Sequence, residues 1–245
     1  MTVEEKQKIA CFLDLAGDSL YSGYKGKQKI YDFSEKETVT NNAAAQCDTL
    51  EKIIKEISAC KNCPLADKRK NTVPGEGVSN PLVLVIGEAP GADEDAKGLP
   101  FVGAAGQLLD KMLSSINLSR KTNCYIANVV KCRPPQNRDP HPEERLSCIN
   151  FLYRQILILK PKFILLVGNI ASQSILNSKI PVSKIRGKFT EYKIGELTIP
   201  LIVTYHPAYL LHNEDQKRPV WEDLKLLRSK IEAQTSFAPL NENSK

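Results

Sequence analysis

Pro81-Leu82-Val83-Leu84-Val85-Ile86-Gly87 sets an unbroken apolar run between a proline and a glycine. Polar and apolar residues do not alternate in it, and Val83, Val85 and Ile86 are β-branched. Such a run reads as a strand buried on both faces. Cys124-Tyr125-Ile126-Ala127-Asn128-Val129-Val130 and Phe163-Ile164-Leu165-Leu166-Val167-Gly168 repeat the pattern. Helical spacing fills the intervals. Leu108, Leu109, Met112, Leu113 and Ile116 share one face of a helix predicted from Gly103 to Ile116. Pro142 stands where a first helical residue belongs, opening a helix to about Leu159, and a short one follows from Asn169 to Asn177. Residues 189–194 and 197–204 read as a hairpin turning at Gly195-Glu196, with a last helix over 218–233. Strands alternating with helices imply an α/β fold, a mostly parallel central sheet flanked by helices in three α/β/α layers.

Upstream, residues 1–45 read as an N-terminal extension, with a helix over 3–15 and a polar connector ending in Asn41-Asn42-Ala43-Ala44-Ala45-Gln46. A second helix, about 48–58, runs into Cys60. The main domain is expected over 46–233, and 234–245 as a frayed tail. The apolar fraction of 42% and charged fraction of 25% are those of a globular protein. No apolar run reaches the roughly 18 residues that cross a bilayer. The first residues carry acids rather than a basic leader. A cytoplasmic protein with reduced thiols is therefore expected, and seven cysteines, an odd number, argue against a disulfide framework. The net charge of +6 fits a polyanionic partner without establishing one. Basic residues gather at Lys68-Arg69-Lys70, Lys131 to Arg138 and Lys184 to Lys188, where solvated surface charge is an equally good reading of each.

Ligands of such sheets bind beyond the carboxyl ends of the strands. The stretches beginning at Glu88, Asn128 and His206 all lie there, so three distant segments converge on one rim. Gly87-Glu88-Ala89-Pro90-Gly91-Ala92-Asp93-Glu94-Asp95 offers backbone amides to a ligand and acids to orient water. An acidic surface turn explains it as well. It fits neither the dinucleotide nor the P-loop pattern. Phe101, between Pro100 and Gly103, is either a core ring or a plane for a base to stack on. Asn128 ends an apolar strand, and burying its amide unpaired would cost about 1–3 kcal/mol. It is therefore paired internally or kept for a ligand. His206, fixed by Pro207, is a candidate proton donor or a plain turn histidine.

Cys60-Lys61-Asn62-Cys63-Pro64 can turn two thiolates toward one metal centre, a spacing shared by redox pairs and zinc knuckles. Cys132 in a loop and Cys148 on a helix complete a set of four. This scattered set leaves zinc and an iron–sulfur cubane both open, with the bulkier group slightly favoured. Cys11, Cys47 and Cys124 read as small buried hydrophobes.

Taken together, GEAPGADED at 87–95, GLPFVG at 98–103, NVVKCRPP at 128–135 and HPAYLL at 206–211 resemble the family 4 uracil-DNA glycosylases, iron–sulfur enzymes of DNA repair. The resemblance runs from about Cys60 to Leu211 and leaves out the first 45 residues, although some members carry extensions, including phage polymerase-like ones. It implies that Cys60, Cys63, Cys132 and Cys148 hold a 4Fe–4S cluster. It implies that Phe101 stacks on a flipped uracil, Asn128 reads its edge and His206 meets its O2. Gly87, Ala89, Pro90 and Gly91 supply backbone contacts, and either Glu88 or Glu94 holds the water. Uracil-containing DNA, single- or double-stranded, is the expected partner, gripped by Lys131, Arg133 and Arg138, with Leu210 or Leu211 as a wedge. No membrane and no obligate protein partner are expected, and the nucleoid is reached by way of DNA. Ala208 stands where the wider superfamily has serine, and His212-Asn213 where relatives often carry arginine. The basic, histidine-containing loop of the crosslinking relatives is missing, which favours turnover. A glycosylase for another deaminated base and a metal-stapled nucleic-acid-binding module are the alternatives.

Overall fold

The computed structural model describes residues 48–235. The extension helix expected at 3–15, its connector and most of the C-terminal tail lie outside the described residues. Among those described, no helix is long and apolar enough to cross a membrane.

Helix α1 (Leu50–Ala59) starts at Thr49, whose hydroxyl accepts from the Lys52 amide at 3.2 Å. The sheet comprises β1 (Glu76–Gly77), β2 (Val83–Gly87), β3 (Cys124–Asn128), β4 (Phe163–Val167), β5 (Phe189–Ile194) and β6 (Leu197–Thr204). Its order is β1-β3-β2-β4-β6-β5. The pairs β3-β2, β2-β4 and β4-β6 are parallel, and both outer strands join antiparallel. Around it lie α2 (Ala92–Lys97), α3 (Ala104–Ser114), α4 (Pro142–Leu159), α5 (Asn169–Leu176), α6 (Val182–Ile185), α7 (Pro207–His212) and α8 (Lys217–Thr235). The short β1, α2, α6 and α7 were not expected from the sequence, since none is long enough to set up a periodicity.

Three layers follow from the two-residue alternation of the strands. Leu84 and Ile86 of β2, Tyr125 and Ala127 of β3, Ile164 and Leu166 of β4, and Leu201 and Val203 of β6 face one core. There they meet Ile53 and Ile57 of α1 and Leu152 and Ile156 of α4. The intervening Val83, Val85, Ile126, Leu165 and Ile202 face the other, packing on Leu109 and Leu113 of α3 and Val220 and Leu224 of α8. Each fully buried aliphatic side chain contributes roughly 1.5–3 kcal/mol. Continuous apolar runs are thus explained by two covered faces.

Strand β3 ends at Asn128 rather than Val130. The next two amides leave the ladder to clip the neighbouring loop: Val129 donates to the Gly87 carbonyl and Val130 to that of Glu88, both at 3.0 Å. The chain lays β3 on one side of β2 and β4 on the other, so the order of strands reverses at β2. A crevice opens beyond the end of such a strand. Gly87 and Glu88 stand at that point.

Candidate active site and thiol cluster

Gly87 is where the three rim segments meet. A Cβ built on it would lie 2.6 Å from Cζ of Phe101 and would overlap the Asn128 amide oxygen. Only glycine lets that ring and that amide close over the strand end. Asn128 is 1% exposed, and its Oδ1 has no hydrogen-bond partner. A buried acceptor left unpaired costs about 1–3 kcal/mol unless something binds to it. Of the two explanations for a polar residue here, internal pairing of this oxygen does not apply.

Phe101 is 6% exposed and has φ of 53°, a left-handed conformation that costs a non-glycine residue roughly 1–2 kcal/mol. Its ring faces the His206 imidazole at 5.6 Å between centroids. Three residues hold this strained one. Glu94 accepts from the Val102 amide at 2.8 Å, the Gly103 amide at 3.0 Å and the Gly91 amide at 3.1 Å. Arg120 donates to the Pro100 carbonyl at 2.7 Å and the Phe101 carbonyl at 2.9 Å. Gly106 of α3 lies so close that any Cβ would overlap the Phe101 carbonyl.

His206 caps α7, its Nδ1 accepting from the Ala208 amide at 3.1 Å. Burial drives its pKa down to about 4, against a smaller upward pull from Glu94. The ring is neutral near pH 7. With Nδ1 an acceptor, the proton sits on Nε2, which is left as a donor. Gly168, at φ of 96°, makes room for the ring, since its Cβ would lie 3.0 Å from that of His206.

Glu88 and Glu94 have separate surroundings. Glu94 is committed to the three amides above. Burial, together with Asp139, pushes Glu88 up to about 7, with Arg145 opposing. A carboxyl poised near neutrality can accept or hold a proton at physiological pH.

The basic loop differs from its sequence reading. Lys131 is 1% exposed and points inward, its Nζ donating to the Asn128 carbonyl at 2.8 Å and to Oε1 of Gln155 at 2.7 Å. Burial lowers its pKa to about 8. A lysine so enclosed cannot reach phosphate, which overturns its expected role in gripping DNA. Arg138 donates to Glu144 through both terminal guanidinium nitrogens, at 2.8 and 2.7 Å. Arg133 donates to Asn137 on the same exposed loop at 2.7 Å. Leu210 is likewise corrected: at 1% exposure it belongs to the α3–α8 core, whereas Leu211 is 42% exposed beside Tyr209.

The four thiols meet behind this loop. Cys60, Cys63, Cys132 and Cys148 line one hollow with Ile57, Arg69 and Phe151. Arg69 donates to Sγ of Cys132 at 3.2 Å and to the Cys60 carbonyl at 2.7 Å. The Lys131 amide donates to Sγ of Cys148 at 3.3 Å. Burial raises the Cys132 thiol, and raises Cys148 to about 11, so a metal must displace their protons. Among the described residues, no three His, Cys, Asp or Glu side chains are grouped tightly enough for a single ion. Four thiols around one hollow, with N–H donors aimed at the sulfurs of Cys132 and Cys148, form a soft donor set of the kind that both zinc and iron–sulfur groups use. Arg69 was visible in the sequence only as one of three consecutive basic residues, and Arg120 and Gly106 carried no signal at all.

Residues 74–225 match the family model described as the uracil DNA glycosylase superfamily. The type-4 uracil-DNA glycosylase of Sulfurisphaera tokodaii is 43% identical over 185 residues, 74% of this chain and 84% of that one. The type-4 enzyme of Archaeoglobus fulgidus is 42% identical over 182 residues, covering 73% and 91%. That of Saccharolobus solfataricus is 39% identical over 188 residues, covering 75% and 87%.

Proposed function

The chain belongs to the uracil-DNA glycosylase superfamily, on its type-4 branch, and we infer from that premise and its site how it removes uracil from DNA. The reaction is hydrolysis of the N-glycosidic bond, leaving an abasic site. The observation that carries the reading is the unpaired, buried Oδ1 of Asn128, closed in by Phe101 and Gly87 at the end of β2.

Uracil must leave the duplex to reach this depth, at a cost of a few kcal/mol that pocket contacts offset. The base stacks on Phe101. Asn128 takes the uracil N3–H on Oδ1 and gives its own N–H to O4, and thymine is rejected by steric exclusion of its 5-methyl group. As the glycosidic bond breaks, negative charge collects on the base. The neutral His206 donates from Nε2 to O2, aided by backbone amides of the 87–91 loop. Glu88 is the better placed of the two acids to hold the attacking water, because Glu94 already accepts from three amides. Arg133 is the remaining loop cation for phosphate, and Leu211 the exposed leucine for the vacated stack.

Cys60, Cys63, Cys132 and Cys148 would hold a 4Fe–4S cluster. Bound, it supplies a cross-link between the end of α1, the loop after β3 and the start of α4. No residue assigned to uracil is among these ligands, so the chemistry runs through the protein's own side chains and backbone amides. Incubating the holoprotein with uracil-containing single- and double-stranded oligonucleotides should yield free uracil and alkali-labile sites. Binding without an abasic product would instead favour a metal-stapled DNA-binding module.

A further inference from the structure

Arg120 sits in the turn between α3 and β3, and its side chain is only 11% exposed. Its guanidinium is fixed from two sides, by Glu76 of β1 at 2.6 Å and Asp110 of α3 at 3.0 Å. The remaining N–H groups converge on the Pro100 and Phe101 carbonyls at 2.7 and 2.9 Å. Phe101 is the residue whose backbone is left-handed, and its carbonyl is pressed against Gly106. Without a donor in place, two carbonyls turned inward would lack partners and the left-handed conformation would lose its hold.

We propose that Arg120 is the positioning residue of the base-stacking platform: it locks the Phe101 backbone so that the ring stands over the uracil site. The proposal rests on the reading of Phe101 as that platform. Charge matters less than the fork. Two carbonyls and two carboxylates are met at once by a planar guanidinium, and an ammonium offers no such geometry. The effect therefore reaches the base only through the ring.

This makes the test a double-mutant cycle. Arg120→Ala, Phe101→Ala and the double variant are compared by single-turnover uracil release over a range of oligonucleotide concentrations. Inhibition by free uracil and thermal unfolding are measured on each. Arg120→Ala should lower kcat/KM about 10- to 100-fold, the size of loss expected from a small misplacement of a reacting group. Inhibition by free uracil should weaken in parallel. Once the ring is gone, Arg120→Ala should cost no more than about 2- to 3-fold further, because coupled residues do not add. Losses that multiply fully, or an Arg120→Ala protein with unchanged kcat/KM and uracil inhibition, overturn the proposal. Should Arg120→Ala fail to fold, Arg120→Lys and Glu76→Gln take its place in the same cycle, with intermediate losses and the same non-additivity expected. A wild-type protein that releases no uracil sinks the glycosylase reading before any variant is compared.

Discussion

At the scale of single residues, Glu88 and His206 have been moved in opposite directions by burial, and this fixes how activity depends on pH. His206 at about 4 stays neutral from pH 5 upward and adds no limb to the profile there. Glu88 at about 7 loses its proton in the working range. A carboxylate is what holds water, so single-turnover release should rise with pH, with a midpoint near 7, and level off above about 8. Glu88→Gln should lower the plateau by 10- to 100-fold and abolish the limb, whereas a limb that survives in this variant would clear Glu88 of the role. Stability moves the other way. A carboxyl whose pKa is raised on folding stabilises the fold while protonated, and that contribution is lost as pH climbs from about 4.5 to about 7. Asn128 was legible in the sequence because a carboxamide ending an apolar strand demands an account. Lys131 and Leu210 were not, because a basic loop does not say which lysine turns inward. Nor does Tyr209-Leu210-Leu211, three consecutive residues of one short helix, say which faces the core.

Among the elements, α3 bears most directly on the site. Its first turn carries Gly106, and a glycine inside a helix costs up to about 1 kcal/mol relative to alanine. The close approach of the Phe101 carbonyl accounts for it. Gly106→Ala should therefore destabilise the protein, since overpacking costs about 1–3 kcal/mol against a smaller gain in helix propensity. A fall in Tm of about 2–8 °C by calorimetry is expected, while a rise would show that the loop has slack. Strands β2, β3 and β4 and helix α4 were readable because burial on both faces and a proline start leave plain marks. The two-residue β1 is defined by pairing with β3 alone, Glu76 opposite Ile126. No local pattern announces a strand that its partner creates.

For the whole molecule, the three layers were legible from the alternation of elements, and the sheet order was not, since pairing is settled by packing between distant segments. The thiol hollow ties α1 to α4, and Arg154 of α4 reinforces the tie by pairing with Asp48 and Glu56. Removing the proposed cluster with an iron chelator should loosen this side selectively. Hydrogen exchange is expected to quicken in α1, in residues 131–138 and in the first turns of α4, while the β5–β6 hairpin and α8 keep their protection. Uniform loss across the sheet would mean that the proposed cross-link stabilises the fold globally rather than this side of it. The position of the ligands along the chain also has a consequence in time. Cys60, Cys63, Cys132 and Cys148 all precede β4, β6 and His206. Synthesis from the N-terminus therefore delivers every thiol before the sheet is complete. A nascent chain thus displays all four proposed cluster ligands before His206, the proposed donor to uracil, has been made.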